Sequence, residues 1–158
     1  MERNYLIDFD GVIIDSQDRF LLDMKDNIDQ DDWTKYLNSI NWYKFIRECQ
    51  EIDESLTVLQ KLQKLKKLRA IITTIHGFQE GREKEIFLRE NNIIVPIFYV
   101  LPDQKKSNIY IPSINDTLVD DKQRNCQDWK DAGGSAILFD SHLETPEKDK
   151  IKSLKQLL

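Results

Sequence analysis

An α/β fold is predicted: a Rossmann-like, mostly parallel sheet with helices on both faces and a small helical cap inserted after the first strand. Three observations predict it. Short apolar runs of strand length recur between longer amphipathic segments, the pattern of repeated βαβ units. Three of those runs stop at polar pairs, Asp8/Asp10, Thr73/Thr74 and Asp120/Asp121, as strands do when their carboxyl ends open on a ligand site. And residues 16–53, rich in Asp, Asn and aromatics, interrupt the alternation after the first run.

The elements follow in order. Tyr5-Leu6-Ile7 is a buried strand that delivers two carboxylates to the turn Asp8-Phe9-Asp10-Gly11, where glycine permits a sharp bend. Amphipathic stretches such as Phe20-Leu21-Leu22-Asp23-Met24 and Trp42-Tyr43-Lys44-Phe45-Ile46 read as two or three short helices, while the acids of 26–32 read as a solvated helix junction. Those acids lack the central Gly and terminal Glu of a calcium loop. Trp33, Trp42 and Tyr43 are expected to form the insert's own core rather than a stacking platform for a base.

Over 54–67, Leu56, Leu59, Leu62 and Leu65 make a helical stripe among strong helix formers. Residues 69–74 form the second strand, and 77–91 a helix with Ile86 and Leu88 inward. Ile97-Phe98-Tyr99-Val100 is the third strand, between Pro96 and Pro102. Thr117-Leu118-Val119 is the fourth; a helix over 123–132 then stops at Gly133-Gly134. Ala136-Ile137-Leu138-Phe139 is the fifth strand, and Pro146 opens a Lys-rich final helix over 146–158. The domain division is therefore an α/β core of residues 1–15 and 54–158 around a cap of 16–53.

At 158 residues the chain is one domain's worth, long enough to bury about 68–70% of its unfolded surface. With 40% hydrophobic and 32% charged residues it is too apolar for disorder and too polar for a membrane protein. The net charge of −5 supplies no field for nucleic acid or an anionic membrane, so a phosphate-bearing ligand needs a local cationic site. Cys49 and Cys126 are too sparse for a disulfide framework and lack the spacing of a zinc or redox pair. Reduced thiols, an N-terminus without an apolar leader and no apolar run of membrane-spanning length lead us to expect a cytoplasmic protein.

Four carboxylates at one mouth, Asp8, Asp10, Asp120 and Asp121, repel one another unless protonated or neutralised by a cation. Oxygen-only ligands suit Mg²⁺, which bridges one or two carboxylates to a substrate phosphate. The turn Asp8-Phe9-Asp10-Gly11-Val12 after an apolar strand resembles the first motif of the haloacid dehalogenase-like (HAD) superfamily phosphohydrolases. Thr73-Thr74 resembles the second motif, Lys105 or Lys106 stands where the third-motif lysine is expected, and Leu118-Val119-Asp120-Asp121 resembles the fourth. Within the superfamily, the ending from Leu118 through Trp129, Gly133-Gly134 and Ile137-Leu138-Phe139 is similar to the 5′(3′)-deoxyribonucleotidase-like group.

That resemblance implies a Mg²⁺-dependent phosphomonoesterase acting on a 5′-(deoxy)ribonucleotide or similar small phosphate ester. Asp8 would be the nucleophile that forms an aspartyl-phosphate, and Asp10 the acid and base at the leaving group and water. Asp121 would hold the metal with the Asp8 side chain and the Asp10 carbonyl, Asp120 acting on a coordinated water, or the two reversed. Thr73, with Thr74 assisting, would bind a phosphoryl oxygen, and Lys105 or Lys106 would supply positive charge; Lys122 is a rival, and His76, a substrate contact or an exposed loop residue, is left unassigned. The alternatives are a polynucleotide 3′-phosphatase, which wants a basic groove, a phosphomutase, for which the insert is short, and a non-catalytic phosphate- and metal-binding module.

Overall fold

The computed structural model describes residues 2–23 and 29–158. Met24, Asp26 and the start of the acid-rich junction lie outside the described residues. Six parallel strands form one sheet in the order β3-β2-β1-β4-β5-β6. They are β1 (Asn4–Ile7), β2 (Leu68–Thr74), β3 (Ile97–Val100), β4 (Asp116–Asp120), β5 (Ser135–Phe139) and β6 (Lys150–Ile151). β2 and β3 lie to one side of β1, and β4, β5 and β6 to the other. The direction of winding reverses between β1 and β4, and a crevice opens there beyond the carboxyl ends. Register sets what reaches it: Ile7 lies opposite Val119 on β4 and Ile71 on β2, so Asp8 and Asp120 leave neighbouring strands at one level.

Alternation along each strand feeds two apolar layers, as period-2 side chains must. Ile7, Ile71, Val119 and Ile137 point to one face; Leu6, Ala70, Leu118 and Ala136 point to the other. The first face is covered by α3 (Trp42–Glu48), α4 (Ser55–Lys64) and α5 (Phe78–Glu90), through residues such as Phe45, Leu59 and Leu88. The second is covered by α7 (Gln123–Asp131), whose Trp129 is fully buried and donates its indole N–H to the Asp116 carbonyl at 3.1 Å. Trp129 also occupies the space a side chain at Gly134 would need: a Cβ there would lie 2.3 Å from Nε1.

Among the described residues, three helices stand between β1 and α4: α1 (Ser16–Asp23), α2 (Gln30–Ser39) and α3. Asp29 and Asn41 cap α2 and α3, their side chains accepting from Asp32 N and Lys44 N. Trp42 joins the core as expected, together with Phe45, whereas Tyr43 is exposed beneath the Arg47 guanidinium, 3.7 Å from its ring centroid. The leucine stripe of α4 is shifted from the expectation: Val58, Leu59 and Leu62 are buried but Leu65 is 53% exposed. The helix ends at Lys64, and Lys66 turns left-handed (φ 58°) to enter β2.

The expected final helix over 146–158 is corrected. Asp149 takes a left-handed conformation (φ 58°), Lys150 and Ile151 pair with β5 as a sixth strand, and only Leu154–Leu157 form a 3₁₀ turn. Ser153 and Gln156 close that turn with a capping box, and Ser153 also hydrogen-bonds Asp53. The six residues between Pro146 and Ser153 carry the strand and its left-handed entry, which interrupts any helix running on from Pro146.

Candidate active site

Residues 9–14 make one tight turn in which Ile13 N donates to the Phe9 carbonyl (2.9 Å) and Gly11 N to that of Ile14 (2.9 Å). Phe9, Val12, Ile13 and Ile14 are essentially fully buried, so the turn is anchored by its apolar residues and presents Asp8 and Asp10 to the crevice. Gly11 is required: its φ is +76°, and a Cβ would fall 2.2 Å from Asp121 Oδ2.

Asp8, Asp120 and Asp121 offer ligand oxygens within 4.8 Å of one another. Lys106 is the lysine that reaches them, donating to Asp8 Oδ1 at 2.8 Å and Asp120 Oδ2 at 2.6 Å with its side chain 5% exposed. It opens α6 (Lys106–Ile109), a single turn between β3 and β4. Lys105 is not in the site: it is exposed and pairs with Asp128 at 3.4 Å.

The charge balance is visible in the protonation tendencies. Burial, then the neighbouring Asp120, pushes the Asp8 carboxyl well above the usual range against the pull of Lys106. Burial and Asp120 push Asp121 up to about 6. Lys106 is held above its ordinary value, because Asp8 and Asp120 outweigh the cost of burying it.

The two acids of the fourth strand end are used differently. Asp120 is fully buried and saturated, accepting from Lys106, the Lys122 backbone N–H (2.9 Å) and Asn125. Asp121 keeps one buried oxygen, Oδ1, with no hydrogen-bond partner, while Oδ2 accepts from Gln17 at 3.3 Å. An orphaned carboxylate oxygen beside two further acids that share Lys106 fits a hard divalent cation.

The threonines divide as well. Thr73, the hydroxyl first expected to touch phosphate, is fully buried and accepts from Lys84 Nζ at 2.9 Å. It is Thr74 that lines the cavity above Asp8, a hollow of about 320 Å³ whose wall also includes Asp10, Lys106, His76, Phe20 and Trp33. Trp33 thus faces this cavity, although it also meets Phe20 edge-on at 5.7 Å. Lys122 and Asn125 complete its cationic and polar side. A second hollow of about 330 Å³ meets the first at Gln17; Asp121, Asp15, Asp18 and Asp140 line it, and no lysine among the described residues faces it. An anionic group therefore has its place in the first.

Sequence reasoning missed Lys84 and Glu80. Both lie on α5 and are 1% and 2% exposed. Lys84 Nζ contacts Asp10 Oδ2 at 2.6 Å and Glu80 Oε2 at 2.7 Å, and Glu80 Oε1 accepts from the His76 backbone N–H at 2.9 Å. The signal was present: Glu80, Lys84 and Leu88 recur every four residues on one face, so two charges occupy positions of the apolar stripe.

No protein-family model and no curated protein matches the sequence. Solved structures do share its shape. A HAD-superfamily hydrolase from Ehrlichia chaffeensis superposes with a TM-score of 0.59 at 16% identity, over 99% of this chain and 95% of that one. A HAD hydrolase of family IA, variant 3, from Entamoeba histolytica gives 0.57 at 14% identity, over 98% and 94%. Over essentially its whole length, the chain has the α/β fold of HAD-superfamily hydrolases.

Proposed function

We propose that the protein is a Mg²⁺-dependent phosphomonoesterase that works through an aspartyl-phosphate on Asp8, with a 5′-(deoxy)ribonucleotide or similar small phosphate ester as substrate. The observation that carries this reading is the buried Asp8 carboxylate at a cavity floor, held by Lys106 and flanked by Asp120 and Asp121. A carboxylate attacks phosphorus only when the charge of the phosphoryl oxygens is offset. Lys106 and Lys122 both line that space and bring positive charge to it.

Asp8, Asp121 with its unpartnered oxygen, and the Asp10 carbonyl would hold the ion, and Asp120 would fix Lys106 beside them. When bound, Mg²⁺ supplies Lewis-acid neutralisation of the phosphoryl group. The chain's own residues do the rest. Asp8 attacks phosphorus, Asp10 gives a proton to the leaving oxygen and then takes one from the incoming water, and Thr74 donates its hydroxyl to a phosphoryl oxygen. Residues 16–53 act as the cap, and Phe20 and Trp33 shape the space for the leaving group. Those apolar walls, with a net charge of −5, favour a small ester over a polynucleotide end.

The test is phosphate release from nucleoside monophosphates, sugar phosphates and a 3′-phosphorylated oligonucleotide, with Mg²⁺ and with chelator. Release from the small esters that requires Mg²⁺ is expected. Preference for the oligonucleotide would turn the reading to a polynucleotide 3′-phosphatase. Metal binding without turnover of any ester would leave a non-catalytic module.

A further inference from the structure

The proposed chemistry uses Lys106 and leaves a second buried lysine unaccounted for. Lys84 is 1% exposed and surrounded by acceptors: Asp10 Oδ2 (2.6 Å), Glu80 Oε2 (2.7 Å), Thr73 Oγ1 (2.9 Å) and the Thr74 carbonyl (3.0 Å). Packing does not demand it, since a buried ion pair contributes no more stability than well-fitted apolar side chains of equal volume. What the pair does provide is orientation. Lys84 fixes Oδ2 of Asp10 and the Ser16 hydroxyl donates to Oδ1 at 2.7 Å, so both carboxylate oxygens are held. Glu80 braces the lysine from behind and is itself fixed by His76, through the backbone N–H and Nδ1, both at 2.9 Å.

We propose that Lys84, braced by Glu80, is a positioning residue that aims the Asp10 carboxylate at the water that resolves the phosphorylated Asp8. The proposal rests on the roles given to Asp8 and Asp10 under the function proposed above. In that step the bond from water oxygen to phosphorus forms and the phosphorus–oxygen bond to Asp8 breaks. Its electron pair returns to the Asp8 carboxylate, and the water proton passes to Asp10. A base held at both oxygens meets that proton without first losing orientational freedom.

The experiment uses p-nitrophenyl phosphate, whose leaving group departs without a proton, so that Asp10 matters for the second step and not the first. In Lys84→Met, kcat should fall on the order of tenfold or more while KM falls in parallel and kcat/KM stays near wild type. A pre-steady-state burst of nitrophenolate approaching one per enzyme should appear, because the phosphorylated form accumulates. Glu80→Gln, which keeps the lysine and the shape, should shift kcat and KM the same way to a smaller extent, and it decides the matter if Lys84→Met does not fold. A fall in kcat/KM at unchanged KM, with no burst, would make Lys84 a purely structural residue and overturn the proposal. Wild-type protein that never turns over the ester would instead remove the phosphatase reading and this proposal with it.

Discussion

Replacing Lys106 with methionine keeps most of the side-chain volume and removes the one cation between Asp8 and Asp120. At 2.8 and 2.6 Å, each ion pair has a Coulomb energy of about 6 kcal/mol for an effective dielectric constant near 20. Much of that is offset by the desolvation of three charges, and breaking a buried pair by removing one partner costs about 3–5 kcal/mol net. For a chain of this length the loss corresponds to a fall in Tm of about 6–20 °C. The deficit depends on pH with a definite sign. Burial and Asp120 already raise the Asp8 carboxyl in the folded state, and losing Lys106 raises it further. Proton uptake by Asp8 relieves the repulsion, so the deficit shrinks on acidification toward pH 4 and grows through neutrality. Thermal melts of wild type, Lys106→Met and Lys105→Met across that range are the assay. Lys105→Met should stay within about 0.5 kcal/mol of wild type, because Lys105 is exposed and its pair with Asp128 is long at 3.4 Å. Equal melting of Lys106→Met and wild type at neutral pH would refute the claim that this lysine neutralises the acid cluster.

Mg²⁺ should raise Tm more near pH 7.5 than near pH 5. The folded-state carboxyls of Asp8 and Asp121 are raised, Asp121 to about 6, so their contribution to the metal-free protein is lost as pH rises through those values. A Tm gain that does not change with pH would contradict this. Gly11→Ala should cost about 1–2 kcal/mol for its left-handed backbone and displace Asp121, seen as a lower Tm and a weaker Mg²⁺ titration. Cys126 is 2% exposed, and burial followed by the nearby Asp120 pushes its thiol up to about 12. It should resist thiol reagents at pH 8 until the protein unfolds, as a time course with and without denaturant would report.

The strands were legible because each is a short apolar run ending in a turn signal, and parallel pairing followed from the helices between them. Convergence of the first, second and fourth strand ends was legible for the same reason, since a doubly wound order places β2, β1 and β4 side by side. The two-residue β6 was not. Lys150 and Ile151 carry no pattern of their own and are a strand only because β5 offers an open edge. Within the site, the doubled residues could not be separated by spacing alone. Thr73 and Thr74 alternate faces of one strand, and the helix α5 behind that strand decides which hydroxyl is consumed by Lys84. Lys105 and Lys106 were decided by a one-turn helix too short to announce itself in sequence. Trp33 faces the cavity while Trp42 is core, because the two stand on different helices of the insert.

The claim at the centre is that Asp8 is a nucleophile toward phosphorus. Acid-quenching the protein during turnover of an aryl phosphate with Mg²⁺, then weighing the peptide that contains Asp8, tests it most directly. One added phosphoryl group on that peptide is expected, sensitive to hydroxylamine and lost in Asp8→Asn together with turnover. Metal-dependent phosphate release with no phosphoryl group on Asp8, or release that survives Asp8→Asn, would contradict the account.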